Sequence, residues 1–197
     1  MLKSELTGLV IAGGKSSRMG VEKGLVQFGG KLLIRYPVDL LKQVCSNVVI
    51  SANSTAYDFL KLPVIRDSNL DGGPMSGIYS GLQAASTEYI LVLSCDMPLV
   101  NLGLLQHLIA SSDRTKASVV LHKSFTEPLC GIYHRELIAE LKSHIAAKKF
   151  KLITFLEKVN ARNIEITDNL PFYNPDLFLN VNTRDDLVRG ETLLSNK

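Results

Sequence analysis

Long apolar runs are missing from this chain of 197 residues. No stretch approaches the ~20 consecutive apolar residues that a bilayer-spanning helix needs, so no membrane is expected as a partner. Cysteine is scarce as well: Cys45, Cys95 and Cys130 are odd in number and show no C-x-x-C spacing. They read as reduced core thiols of a cytoplasmic protein. Nor is there a concentration of one charge. The net charge is +3 with the basic residues dispersed, which leaves nothing to demand a nucleic-acid partner. The first apolar run begins six residues from the N-terminus, a spacing that leaves no room for a signal peptide. Repeats and low-complexity segments are absent too. What is left, 46% hydrophobic and 21% charged, is an ordinary globular composition, and its length suits one domain over residues 1–197 with a sizeable core.

The most informative stretch runs from Leu6 to Lys23, LTGLVIAGGKSSRMGVEK. Leu9-Val10-Ile11 is short and branched enough for a buried strand, and it breaks into Ala12-Gly13-Gly14. A strand opening into glycines lets backbone N–H groups approach a ligand, because no Cβ intervenes. Lys15, Arg18 and Lys23 then supply cations for an anion, and polyphosphate is the natural one. Two better-known phosphate motifs are excluded. Gly14-Lys15-Ser16 looks like the end of a P-loop, but Leu9 occupies the position of its first glycine, and no G-x-G-x-x-G exists. An ordinary glycine-rich βα turn with solvated basic residues is the bland alternative.

Beyond this loop, apolar and amphipathic stretches alternate. Strands are expected at Asn47–Ser51, Val64–Arg66, Tyr89–Cys95, Ala117–Leu121 and Leu129–Tyr133. Helices are expected around Leu33–Val44, Ser76–Ala85, Leu102–Ala110, Glu136–Ile145 and Leu152–Lys158, and Asp67–Met75 should form a loop. The alternation predicts an α/β fold: a three-layer α/β/α arrangement with a mostly parallel sheet. Ligands of such sheets sit beyond the carboxyl ends of the strands. That rule puts Ala12-Gly13-Gly14, Ser51-Ala52-Asn53, Asp67 and Asp96 on one rim.

Asp96 follows the very apolar Ile90-Leu91-Val92-Leu93 and is poised at a strand end for a hard cation such as Mg²⁺, which favours one or two carboxylates with water and phosphate oxygens. Turn-ordering or helix capping is the competing use. Arg18 and Lys23 are the candidate phosphate cations. The histidines, His107, His122, His134 and His144, lack acids nearby in sequence and read as surface or packing residues. No activated protein nucleophile is evident, and none is needed where a substrate phosphate, already ionised, attacks directly.

Ile11-Ala12-Gly13-Gly14, Arg18-Met19-Gly20 and Lys23 resemble the signature of the nucleotidyltransferases with a Rossmann-like fold. Gly73-Pro74-Met75-Ser76-Gly77, Ser94-Cys95-Asp96-Met97-Pro98, Glu127-Pro128-Leu129-Cys130-Gly131-Ile132-Tyr133 and Phe178-Leu179-Asn180-Val181-Asn182-Thr183 follow in order. Together they look like the molybdenum cofactor guanylyltransferases, the MobA family. The resemblance implies a Mg²⁺-dependent reaction of GTP with molybdopterin or its molybdenum form, giving the guanine dinucleotide cofactor and pyrophosphate. It implies nucleotide contacts at Ile11, Ala12, Gly13, Lys23 and Asp67, with Gly14 in the same loop, and Asp96 on both nucleotide and metal. Ser51 or Asn53 would contact base or ribose. Asn180 and Asn182 would face the pterin in a C-terminal pterin-side part, with Thr183 and Asp186 as a capping box, and Lys148, Lys149 and Lys151 could attract its phosphate. Other cofactor-biosynthesis proteins and molybdoenzyme chaperones are the implied protein partners. A cytidylyltransferase, a sugar-phosphate or methylerythritol-phosphate nucleotidyltransferase, and a non-catalytic nucleotide-binding module are the alternatives.

Overall fold

The computed structural model describes residues 1–12, 22–66 and 72–195. The strands are β1 (Leu6–Ile11), β2 (Gln27–Phe28), β3 (Lys31–Leu32), β4 (Asn47–Ser51), β5 (Val64–Ile65), β6 (Tyr89–Ser94), β7 (Ala117–His122), β8 (Phe125–His134) and β9 (Arg162–Glu165). The helices are α1 (Arg35–Val44), α2 (Gly73–Ala84), α3 (Leu102–Ser111), α4 (Ile138–Ala146), α5 (Leu152–Lys158) and α6 (Arg184–Ser195). Seven strands form one sheet in the order β5-β4-β1-β6-β8-β7-β9, and β2 pairs with β3 in a separate hairpin.

Every residue of β1 and β6 is buried, as expected of central strands covered on both faces. On one face, Val38 and Leu41 of α1 and Leu104, Leu105 and Leu108 of α3 pack on Val10, Leu91 and Leu93. On the other, Met75, Ile78 and Leu82 of α2, Leu141 of α4 and Phe155 of α5 pack on Leu9, Ile90 and Val92. The result is the three-layer α/β/α arrangement that the alternation predicts. Gly77 of α2 permits a close approach to the strands: a Cβ there would collide with the Ser51 hydroxyl and the Ile11 side chain. All three cysteines are free and buried, and burial pushes the Cys45 and Cys95 thiols up to about 12. No helix among the described residues is long and apolar enough to cross a membrane.

Three differences from expectation stand out. Helix α2 starts at Gly73, inside the expected loop, because Pro74 fits a helix's first turn, where no N–H partner is lost. Strand β8 begins at Phe125, not Leu129, and runs antiparallel to both β6 and β7. Its link to β7 is the two-residue turn Lys123-Ser124, both at positive φ, which closes a tight hairpin. Strand β9 has no sequence counterpart because Arg162-Asn163-Ile164-Glu165 buries only Ile164.

Candidate active site

Strand β6 delivers Asp96 to the carboxyl rim. The Cys95 N–H donates to the Ile11 carbonyl at 3.0 Å, carrying the β1–β6 ladder past the end of both strands, and Asp96 follows at once. Its carbonyl accepts the Val181 N–H at 2.8 Å, and the Val181 side chain is fully buried with Phe28, Leu33 and Leu99. The apolar Val181 therefore anchors the flanking Asn180 and Asn182 at this rim.

Lys23 enters from the other side, on a one-turn 3-10 helix (Lys23–Leu25). The Gly24 carbonyl accepts the Ile34 N–H at 3.0 Å, and Gly24 lies so close to Tyr57 that a Cβ would strike the ring. With its backbone fixed, Lys23 sends its Nζ to Asp96 Oδ2 at 2.5 Å and to Asn182 Oδ1 at 2.6 Å. The Lys23 and Asp96 side chains are only 19% and 17% exposed. In such a setting, deleting one partner strands the other charge at a high cost. The second carboxylate oxygen, Asp96 Oδ1, is buried and has no hydrogen-bond partner among the described residues.

The other expected contacts are placed less directly. Ile11 and Ala12 are 4% and 5% exposed, the Ile11 side chain lies in the core, and the Ala12 N–H is bonded to the Ser51 carbonyl at 2.9 Å. They form a floor under the rim. Ser51 is 1% exposed and its hydroxyl lies against Gly77, whereas Asn53, beyond the end of β4, is exposed. Gly13, Gly14, Lys15, Arg18 and Asp67 lie outside the described residues. Lys148, Lys149 and Lys151 are exposed in the α4–α5 connection.

Thr183 and Asp186 cap α6: the Thr183 N–H donates to Asp186 Oδ2 at 2.8 Å, and the Asp186 N–H donates to Thr183 Oγ1 at 3.2 Å. The Asn182 N–H also donates to Asp186 Oδ2, at 3.0 Å. The Thr183 side chain and then the Asn182 N–H hold the Asp186 carboxyl below its ordinary value. The cap and Asn182 thus share one turn.

The histidines pack: His144 is buried with its Nδ1 2.9 Å from the Glu140 carbonyl, and the His122 ring lies 4.7 Å from that of Phe178. His134 departs from expectation, since Glu136 approaches its Nδ1 at 3.8 Å and Glu88 its Nε2 at 4.0 Å. Those contacts lie where β8 meets the start of β6, at the opposite end of the sheet from Asp96.

Glu127 escaped the sequence reading as a site residue. It is half-buried on β8, and burial, followed by the charge of Asp96, raises its carboxyl above the ordinary range. The only signal was its place at the head of the Glu127-to-Tyr133 stretch.

The family described as "MobA-like NTP transferase domain" matches residues 8–161. A Flavobacterium johnsoniae protein named "Probable molybdenum cofactor guanylyltransferase" is 37% identical over 183 residues, covering 92% of this chain and 94% of its own. A Serratia proteamaculans "Molybdenum cofactor guanylyltransferase" is 32% identical over 194 residues, covering 96% of each. The crystal structure of "Molybdopterin-guanine dinucleotide biosynthesis protein A" from Archaeoglobus fulgidus superimposes with a TM-score of 0.81 at 26% identity, over 97% of this chain and 100% of that one. A family match over most of the sequence and relatives aligned nearly end to end show that this chain belongs to the MobA-like NTP transferase family.

Proposed function

We propose that this protein transfers GMP from GTP to molybdopterin or its molybdenum form, releasing pyrophosphate. One observation carries the chemical part: a single ammonium, Lys23 Nζ, contacts both the β6 carboxylate and the Asn182 carboxamide. The cation beside the N-terminal loop, the candidate metal ligand and the C-terminal segment thereby share one point. The names of the relatives supply the guanine and the pterin.

An oxygen of the acceptor's phosphate attacks the α-phosphorus in line, and the bond to the bridging oxygen of the β-phosphate breaks as pyrophosphate departs. Lys23 sits where it can neutralise charge growing on the phosphates, and its fixed stem spares the reorganisation a free lysine would need. Asn182 and Asp96 hold that ammonium in place. Asn53, exposed past β4, is better disposed than the buried Ser51 to meet base or ribose. The acceptor phosphate is already ionised, so no general base is required.

Asp96 Oδ1 fits magnesium: it is a buried anionic oxygen without a described partner. Among the described residues no group of three or more His, Cys, Asp or Glu side chains could cage a metal, which suits an ion that relies on few protein ligands and on substrate phosphate. Bound there, it would polarise the α-phosphoryl oxygens. Pyrophosphate release tests the reading. It should require GTP and molybdopterin together and be lost with EDTA, while an equal rate with CTP would defeat the guanine assignment.

A further inference from the structure

The β7–β8 hairpin carries a carboxylate that this mechanism leaves without a task. Strand β8 pairs with β6 up to Leu93↔Cys130. Three residues before Cys130, Glu127 lies close enough to Asp96 for that charge to act on its carboxyl. Against β7 the pairing jumps from Val119↔Gly131 to Val120↔Glu127, so Pro128, Leu129 and Cys130 are extra on β8. An odd number of extra residues reverses which face a side chain takes. The bulge therefore turns Glu127 to the face of Val120, which packs in one cluster with Leu177 and Phe178. From that same segment Asn180 and Asn182 reach the rim. The Glu127 side chain makes no hydrogen bond or ion pair with any described residue, and it is half-buried within reach of the Asp96 charge.

We propose that Glu127 is a specificity-determining residue of the acceptor side, whose carboxylate receives the paired N–H donors of a 2-amino-4-oxo pterin ring. The proposal rests on the guanylyl-transfer reading above. The N3–H and 2-amine of such a ring lie side by side, and a carboxylate takes both in a charge-assisted pair. An anion there suits the neutral ring and disfavours the acceptor's phosphate, so it also orients the acceptor with its phosphate toward Lys23. Guanine offers the same donor pair, but β8 lies on the far side of β6 from β1 and β4, whose ends carry the candidate nucleotide contacts. That placement assigns Glu127 to the acceptor.

The test is the steady-state kinetics of Glu127→Gln, which keeps the shape and turns one acceptor into a donor. KM for molybdopterin should rise roughly tenfold to a hundredfold, with kcat and KM for GTP within about twofold of wild type. As inhibitors, 6-hydroxymethylpterin should outcompete 6-hydroxymethyllumazine, which has an oxo group in place of the 2-amine, and E127Q should lose that preference. An unchanged KM for molybdopterin, or a rise in KM for GTP instead, would overturn the assignment. Wild-type protein releasing no pyrophosphate from GTP and molybdopterin would overturn the underlying reading as well, so the two failures are distinguishable. Should E127Q not fold, Glu127→Asp, with a smaller rise in the same KM, serves the same comparison.

Discussion

The two halves of the sheet are built differently. On one side of Asp96, β5, β4, β1 and β6 run parallel, with two fully buried central strands. On the other, β8 reverses direction, carries a bulge and is followed by β7 and a mostly exposed β9. The parallel half ends in a regular rim where backbone position follows from strand register alone. In the antiparallel half a bulge and a docked C-terminal segment aim the side chains. Under the proposed function, the nucleotide's phosphates, alike from one reaction to the next, fall to the regular half, and the irregular half is where the acceptor is distinguished.

Asp96 is where the halves meet, so its loss should be the most severe. Asp96→Ala is expected to lower the transfer rate by about a thousandfold while circular dichroism stays native. Wild-type turnover in that variant would remove Asp96 from the chemistry. Lys23→Met should cost roughly a hundredfold, and Lys23→Arg should not restore it, because a planar fork cannot occupy the space of a point charge between Asp96 and Asn182. Full rescue by arginine would show that charge alone matters there.

The packing of the antiparallel half can be probed at Gly131, beside the bulge. A Cβ there would sit 2.8 Å from the Ser118 carbonyl and 2.7 Å from Val119 Cγ1. Gly131→Ala should destabilise by about 1–3 kcal/mol in urea melts, and a silent substitution would mean that the bulge yields easily. Thr183→Ala should cost about 1 kcal/mol through the α6 cap, with a rise in KM for the acceptor if the turn also orients Asn182. The smallest effect concerns pH. The Asp186 carboxyl is held below its ordinary 3.8, so its contribution is complete above the unfolded value and fades as pH falls through the folded one. The stability gap between wild type and Asp186→Asn should be present at neutral pH and close only below about pH 4.

Legibility in the sequence followed the same divide. The apolar runs around Val10, Ile50 and Leu93 were readable because a strand buried on both faces must be apolar throughout, and the carboxyl-end rule then placed Asp96. Strand β9 was not readable, since one buried residue in four leaves no period. The start of β8 was hidden for a related reason: Lys123-Ser124 is a poor advertisement for a hairpin turn that usually takes Asn-Gly, and Pro128 reads as a strand breaker. The meeting of Lys23 with Asn182 was equally invisible, because it joins positions 159 apart in the chain.

By itself the sequence determined the layered α/β architecture, the order of its motifs and the acid at the end of β6, because periodicity and strand-end position are local properties. Only the tertiary structure decided which distant groups share an ion pair, that Ser51 is buried while Asn53 is exposed, and that Glu127 pairs with Val120 across the bulge. Those outcomes depend on register, a bulge and the docking of Val181, and such long-range pairings leave no local trace in the chain.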